Sequence, residues 1–203
     1  MIVTKIEEYR KNKYKIYLND EFAFVLYKGE LRLFKIKEGE ALLQETYREI
    51  VDTVLTKRAK LRAMYLLKTI DRTEADVRRK LKEGLYPQIV IDAAISYVKS
   101  YHYIDDTRYA GNYIAYKTGS LSRSEIKQKL LLKGINKELI EEQLAEHRKD
   151  GSEAERELIR RLMLKKCREL PLSDYQEKNK LFAYLYRKGF TIGDIENVYK
   201  EFT

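Results

Sequence analysis

Cysteine and histidine are the residue types in this chain that could supply a nucleophile or a metal ligand. The single cysteine, Cys167, lies between Lys166 and Arg168, and neighbouring cations can lower the pKa of a thiol. A cysteine at the edge of a surface helix is more often inert, so we assign it no reaction. One cysteine also excludes an internal disulfide and a four-cysteine zinc site.

The two histidines, His102 and His147, have no recognisable spacing to a nucleophile. His102 together with Asp105 and Asp106 could be imagined as a set of metal ligands. Asp105 is better explained as the N-cap of a helix, with His102 in the preceding turn. The nine glycines are scattered over turns and form no phosphate-binding loop. The sequence therefore predicts a protein without catalytic residues, a metal site or a cofactor.

Positive charge is the chemistry that the sequence offers in quantity. Lysine and arginine total 41 against 32 acidic residues, a formal net charge of +9. Three segments concentrate the excess: 57–82 has ten basic and three acidic residues, and 117–137 and 156–168 each have six and one. Such segments are either solvated helix faces with internal ion pairs or a stripe for phosphates or an acidic protein groove. The net excess favours the stripe.

The seventeen tyrosines are a more ambiguous signal. Tyr109, Tyr113 and Tyr116, for example, have the spacing of residues on one helix face. Exposed tyrosines can stack on unpaired bases. At helical spacing, however, they are more often core residues with the hydroxyl group at the rim.

The elements that must position these residues form an internal repeat. Apolar positions recur at constant offsets, 49 residues from the first set to the second and 55 from the second to the third. Gly134 and Gly189 lie where a helix would end in the left-handed conformation, and the first unit is expected to shift this glycine to Gly84. Shared offsets predict true repeats, whose equivalent positions are Val77, Leu81, Leu85, Ile91 and Ile95; Ile126, Leu130, Gly134, Ile140 and Leu144; and Leu181, Leu185, Gly189, Ile195 and Tyr199.

Helix-start signals recur within these units. Thr73 is expected to cap the helix that carries the first apolar set. Ser122 and Glu125 have the spacing of a capping box, in which each residue binds the backbone amide of the other. Thr191 and Asp194 have the same spacing, so we expect a related cap in the third unit.

The N-terminal region has a different pattern. Alternation in segments 14–18 and 22–26, around turn residues at 19–21, predicts a β-hairpin. Weaker strand signals lie at 2–6 and 31–33. A lone hairpin is marginal in water, so we expect it to pack on the long or kinked helix predicted over about 46–70.

The predicted fold is mainly α: three tandem three-helix repeats in an elongated curved array, preceded by a small N-terminal β-hairpin. The expected divisions are 1–45 for the hairpin or small sheet, 46–105 for a linker helix and the first repeat, 106–150 for the second repeat and 151–203 for the third. The start of the chain lacks the apolar core of a signal peptide, and no apolar run approaches the length of a membrane span. We therefore expect a cytoplasmic monomer that does not enter membranes.

Within this fold, the middle helix of the first repeat is the best candidate for a contact surface. Val77 and Leu81 fix the helix to the core, so Arg78, Arg79 and Lys82 are expected to remain free on its other faces. The planar fork of arginine suits carboxylates and phosphates. Matching and flanking cations complete the candidate set, which is Arg72, Arg78, Arg79, Lys82, Arg108, Arg123 and Lys127.

Two segments together resemble the RecX family. They are Asp71-Arg72-Thr73-Glu74-Ala75-Asp76-Val77-Arg78-Arg79-Lys80-Leu81 and Tyr103-Ile104-Asp105-Asp106-Thr107-Arg108-Tyr109-Ala110. The resemblance covers residues from about 55 to 203, and the N-terminal hairpin also suits it. It implies tandem three-helix repeats and a bacterial regulator that binds the RecA recombinase filament on single-stranded DNA. Inhibition of strand exchange and of ATP hydrolysis by RecA is the usual outcome, and no catalytic residue is implied.

Two functions therefore remain open. The first is an interaction protein that modulates RecA filaments, with weak, non-specific binding to single-stranded DNA on its own. The second is a helix-turn-helix-like module whose basic stripe acts directly on DNA. The charge pattern fits either function, and the resemblance favours the first.

Overall fold

The computed structural model describes residues 1–167 and 169–202, and for residues 148–151 it describes the backbone alone. The chain forms two compact units, Met1–Asp105 and Asp106–Thr203. None of the helices in the described part of the chain combines the length and the apolar character that a membrane-spanning helix requires.

The N-terminal unit begins with a three-stranded antiparallel sheet of β1 (Val3–Arg10), β2 (Lys13–Leu18) and β3 (Glu21–Tyr27), in that order. The predicted hairpin is β2–β3, and the weak strand signal at 2–6 belongs to β1. The expectation of an edge strand at 31–33 was wrong. Those residues end a short helix, α1 (Lys28–Leu33), whose start is held by Glu30, which accepts a hydrogen bond from Tyr27 N at 2.7 Å.

The long predicted helix is present as three continuous segments. They are α2 (Gln44–Glu49), a π-helical segment (Ile50–Leu55) and α3 (Thr56–Thr69). A π-helical turn widens the helix by one residue and shifts the faces that follow it. The buried side chains of α3, Ala59, Ala63 and Leu66, are mostly small, which lets this helix pack closely against its neighbours.

Nine helices form three successive helix triplets in the described residues. The first triplet is α3, α4 (Glu74–Glu83) and α5 (Gln88–Ser100), and the second is α6 (Asp106–Lys117), α7 (Arg123–Leu132) and α8 (Lys137–Glu146). The third triplet is α9 (Arg148–Lys166), α10 (Tyr175–Arg187) and α11 (Ile192–Lys200). The twelve apolar positions aligned by the offsets, leaving aside the helix-end position, are all buried. The periodicity therefore identified the core face of each triplet correctly.

The helix-end position of the repeat also keeps its register. Gly134 and Gly189 have positive φ angles of 77° and 87°, and the equivalent residue of the first repeat, Leu85, has a φ of 61°. The expectation that Gly84 takes this role was wrong, because Gly84 is the C-cap of α4 with a φ of −77°. Leu85 therefore adopts a conformation that normally costs a non-glycine residue about 1–2 kcal/mol.

The predicted capping residues do cap helices, but the Thr191 cap is not equivalent to the Ser122 cap within the repeat. Thr73 caps α4 by accepting a hydrogen bond from Asp76 N, and Ser122 forms the expected capping box with Glu125 at the start of α7. Thr191 caps α11, the third helix of its repeat, so its counterpart in the second repeat is Asn136 at the start of α8. The start of α10 is capped by Asp174.

Three clusters of buried side chains stabilise the described residues. The largest joins the inner face of the sheet to the first triplet. The second and third triplets each have a smaller cluster. Tyr109 and Tyr113 stack with ring centroids 6.4 Å apart and pack against the core of the second triplet, whereas Tyr116 is exposed. Most of that tyrosine face is therefore structural.

Candidate partner-binding surfaces

The arginines of α4 are held by carboxylates. Arg78 Nε donates to Glu74 Oε1 at 2.7 Å, and its Nη1 donates to Asp92 Oδ1 of α5 at 2.6 Å. Lys99 of α5 donates to the other oxygen of Glu74 at 2.8 Å. Burial raises the pKa of Glu74, but the hydrogen bonds from Lys99 and Arg78 outweigh it and hold that pKa below its ordinary value. This network ties α4 to α5.

Asp76 forms the second half of the α4 network. Its carboxylate accepts a hydrogen bond from Arg72 Nη1 at 2.6 Å and a second, short hydrogen bond from Arg79. Burial raises the pKa of Asp76, and the two guanidinium groups more than reverse that effect, so the net pKa is lowered. Arg79 also donates to Glu83 at 2.6 Å. The expectation that Arg78 and Arg79 are free was therefore wrong.

Three of the predicted contacts are exposed: Lys82, Arg108 and Arg79, the last of which is nevertheless ion-paired. Lys82 makes no hydrogen bond or salt bridge within residues 1–167 and 169–202, and it lies at the rim of a depression beside Tyr86 and Gln88. Arg108 is exposed on α6, the first helix of the second repeat.

The two predicted contacts on α7 have structural roles. Arg123 Nη2 donates to the carbonyl oxygen of Leu144 at 2.8 Å, and Arg123 N donates to Glu155 Oε1 of α9 at 2.9 Å. Arg123 thus links α7 to α8 and to the third triplet. Lys127 forms a short ion pair with Glu141 of α8. Neither side chain extends a free basic stripe.

Two cations of the basic segment at 156–168 also have polar partners. Arg160 forms short ion pairs with Glu157 and with Glu201, the C-cap of α11. Arg161 donates to the carbonyl oxygen of Gly119 at 2.8 Å. Arg168, the last residue of that predicted segment, lies outside the described residues.

Helix α3 of the N-terminal unit carries exposed cations without carboxylate partners. This 14-residue helix contains five basic residues and no acidic residue. Lys57, Arg62 and Lys68 are exposed and form no salt bridge within the described part of the chain. Tyr65, 65% exposed, and Leu61, 58% exposed, lie between them. We call these five residues the α3 face.

A tyrosine ladder lies beside α3. The ring centroids of Tyr97, on α5, and Tyr101, the C-cap of α5, are 5.0 Å apart. The ring of Tyr101 stacks on that of Tyr103, with a centroid distance of 5.9 Å. Lys60 of α3 lies 4.7 Å over the Tyr97 ring. The α3 cations belong to the basic segment 57–82, but they are not among the contact residues predicted from the sequence. The sequence signal that could have identified them is the absence of any acidic residue over the four turns of α3.

The remaining chemical candidates gain no support from the geometry. Burial and Glu177 raise the pKa of Cys167, and the opposing effect of Lys166 is smaller, so the thiol is not activated. Within the described residues, no three His, Cys, Asp or Glu side chains are grouped as metal ligands.

Tandem helix triplets with separate small cores and an unpaired basic helix face define a helical-repeat protein. Family models for the second and third three-helix domains of RecX match residues 105–144 and 153–199. Regulatory protein RecX of Caldanaerobacter subterraneus subsp. tengcongensis is 34% identical over 201 residues, 97% of each chain. Its counterpart in Clostridium acetobutylicum is 28% identical, covering 98% of this chain and 95% of the relative. The chain belongs to the RecX family.

A solved structure agrees with this assignment. A crystal structure of regulatory protein RecX aligns with a TM-score of 0.66 and 28% identity, over 97% of this chain and 98% of that one. A crystal structure of RecX from Lactobacillus salivarius aligns with a TM-score of 0.65 over 73% of this chain; at 23% identity it supports the fold alone.

Proposed function

We propose that this protein binds RecA recombinase filaments on single-stranded DNA in the cytoplasm and inhibits ATP hydrolysis, strand exchange and filament growth by RecA. The role belongs to DNA repair and the SOS response. Membership of a family of regulatory proteins supports the regulatory role. RecA is proposed as the partner because of the family resemblance. The exposed residues of the protein are the basis for proposing where RecA binds.

The observation that carries the proposal is the α3 face. A filament on DNA presents phosphates and carboxylates, both of which attract unpaired cations. Lys57, Arg62 and Lys68 can meet such groups without first leaving an internal partner. The exposed Tyr65 and Leu61 between them can bury apolar area in the same contact. Charged rims around aromatic anchors are typical of protein interfaces.

The α4 arginines are a weaker choice for the same contact. To bind a partner, Arg78 would have to leave Glu74 and Asp92, and both carboxylates would be deprived of a charge-assisted hydrogen bond. Lys82 and Arg108 remain exposed candidates. We therefore centre the proposed contact on α3 and assign Arg78 to the joint between α4 and α5.

A charge-neutralised variant tests this assignment. Lys57→Gln, Arg62→Gln and Lys68→Gln together remove three charges from the α3 face and keep good helix-forming residues. The measurement is ATP hydrolysis by RecA on single-stranded DNA as the amount of regulator is increased. We expect the parent protein to suppress hydrolysis and the α3 variant to need at least about tenfold more protein, since removing a charged side chain from an interface can cost about a kcal/mol or more.

The matched control removes the same charge from the C-terminal unit. Lys129→Gln, Lys165→Gln and Lys180→Gln are exposed helical positions on α7, α9 and α10. We expect this control to suppress hydrolysis like the parent. Equal weakening in both variants would show that net charge matters and not the α3 face, and a parent protein with no effect on RecA would refute the proposed function.

A further inference from the structure

The outer face of the N-terminal sheet has a chemistry unlike that of its inner face. Inward-facing residues such as Ile16, Phe24 and Leu26 are fully buried in the core. Near the β1–β2 turn, the opposite face carries tyrosines on both outer strands and lysines on the central strand. We call this surface the sheet platform, defined as Tyr9, Arg10, Lys13, Lys15, Tyr27 and the adjoining Arg58 of α3.

Each ring of the sheet platform is contacted by two cations. Lys15 Nζ lies 4.8 Å and Arg10 Cζ 5.0 Å from the centroid of Tyr9. Lys13 Nζ lies 5.1 Å and Arg58 Cζ 4.4 Å from the centroid of Tyr27. Tyr9 and Tyr27 are nevertheless 36% and 38% exposed. The rings are thus accessible and surrounded by positive charge.

The charge of the sheet platform is largely uncompensated. Arg58 pairs with Glu30. Arg10, Lys13 and Lys15 have no hydrogen-bonded or salt-bridged carboxylate in the described part of the chain. Glu7, on the same face, is held by Lys5 at 2.9 Å, and this hydrogen bond lowers the pKa of Glu7. Three cations therefore remain available to an anionic ligand.

We propose that the sheet platform binds single-stranded nucleic acid by stacking bases on Tyr9 and Tyr27. Stacking of a base on an aromatic ring is more favourable than the cation–π contact of an exposed lysine with the same ring. An incoming base can therefore displace Lys13 or Lys15 from its ring, and the released ammonium group then meets the adjacent phosphate. The two lysines lie on the strand between those that carry the two rings, so they can meet the phosphate that joins two stacked bases.

An acidic protein surface is the less favoured ligand for the same residues. Carboxylates would be satisfied by the lysines alone and would leave two exposed rings unused. Sheet faces that carry outward aromatic side chains stack two or three bases in other single-strand binders. The inference deepens the weak single-strand binding expected of this protein by naming its site, and it requires no RecA.

The test is anisotropy of a fluorescent oligothymidylate, titrated at low salt with protein alone. Tyr9→Thr with Tyr27→Ser removes both rings, keeps every charge and suits the strand and N-cap positions. We expect this variant to bind at least about tenfold more weakly than the parent, because bases can no longer stack at either position. Tyr9→Phe with Tyr27→Phe keeps the rings and should bind like the parent.

A second variant and a control separate stacking from charge. Lys13→Gln with Lys15→Gln should lower the slope of log affinity against log salt by about 0.7 for each phosphate that the protein no longer neutralises. Tyr175→Gln with Tyr186→Gln, at exposed positions of α10, should have no effect. Unfolding is checked by circular dichroism for every variant.

Three results would overturn the inference: no binding by the parent, unchanged binding by the ringless variant, or displacement by polyglutamate as efficient as displacement by unlabelled oligothymidylate. The last would assign the platform to an acidic protein. Because the assay contains no RecA, its failure leaves the test of RecA inhibition independent.

Discussion

Replacement of Gly189 by alanine should destabilise the protein more than replacement of Gly119, although both glycines follow the end of a helix with positive φ. A Cβ atom at Gly119 would meet only Ala154 Cβ, at 4.0 Å. A Cβ atom at Gly189 would lie 2.7 Å from Ser122 Oγ and 2.8 Å from the Cβ of Ser124. Ser122 is fully buried, accepts a hydrogen bond from Glu125 N at 3.1 Å and donates to the carbonyl oxygen of Lys188 at 2.6 Å. The new methyl group must displace the residue that joins the second repeat to the third.

The magnitude follows from these interactions. Left-handed alanine costs about 1–2 kcal/mol at either glycine. Displacing Ser122 adds up to about 1 kcal/mol for the cap and about 1 kcal/mol for the hydrogen bond to Lys188. We therefore expect Gly189→Ala to lower the free energy of unfolding by about 2–4 kcal/mol, against about 1–2 kcal/mol for Gly119→Ala.

Urea denaturation followed by far-UV circular dichroism measures both variants. Ser122→Ala with Gly189→Ala serves as a double-mutant test, because the two positions are in direct contact. Its cost should be smaller than the sum of the single costs. Equal destabilisation by Gly119→Ala and Gly189→Ala, or full additivity with Ser122→Ala, would refute the role assigned to this contact.

Two further predictions concern the helical repeats. Leu130→Ala should cost about 2–5 kcal/mol in the free energy of unfolding because the side chain is fully buried, whereas Leu132→Ala, at an 87% exposed position, should have little effect; similar costs in urea denaturation would contradict the core assignment. Burial raises the pKa of Glu155 despite the hydrogen bond from Arg123 N, so the folded state disfavours the carboxylate and its stability falls as pH rises from the ordinary value of 4.5 through the raised pKa. Glu155→Gln keeps the acceptor oxygen and should melt at a higher temperature than the parent at neutral pH, with the gain shrinking towards zero in acid; a pH-independent difference in melting temperature would refute this explanation.

The repeats were predictable because they depend on local periodicity. Constant offsets placed Val77, Ile126 and Leu181 at equivalent positions, and all three are buried. The left-handed position was predictable only where glycine marks it. Leu85 escaped notice because a leucine with positive φ has no sequence signature, and the nearby Gly84 attracted the assignment instead.

Whether a given cation is ion-paired or available to a partner was harder to predict than where it lies on its helix. The spacing of Glu74 and Arg78 does indicate an ion pair within α4. Asp92 and Lys99, which complete that network, come from α5, and only the packed structure brings them to it. Likewise, the sheet platform depends on Arg58 reaching Tyr27 across 31 positions of the chain. Long-range pairing therefore separates structural cations from available ones.

Binding to RecA filaments is the central claim, and one comparison tests it directly. The protein is titrated against RecA filaments assembled on single-stranded DNA with a slowly hydrolysed ATP analogue, and against the same DNA without RecA, over a series of salt concentrations. We predict tighter binding to the filament, persisting at salt concentrations that abolish binding to bare DNA, whose electrostatic affinity falls steeply with salt. Equal affinity for both, with the same salt dependence, would contradict the claim and favour a module that acts on DNA alone.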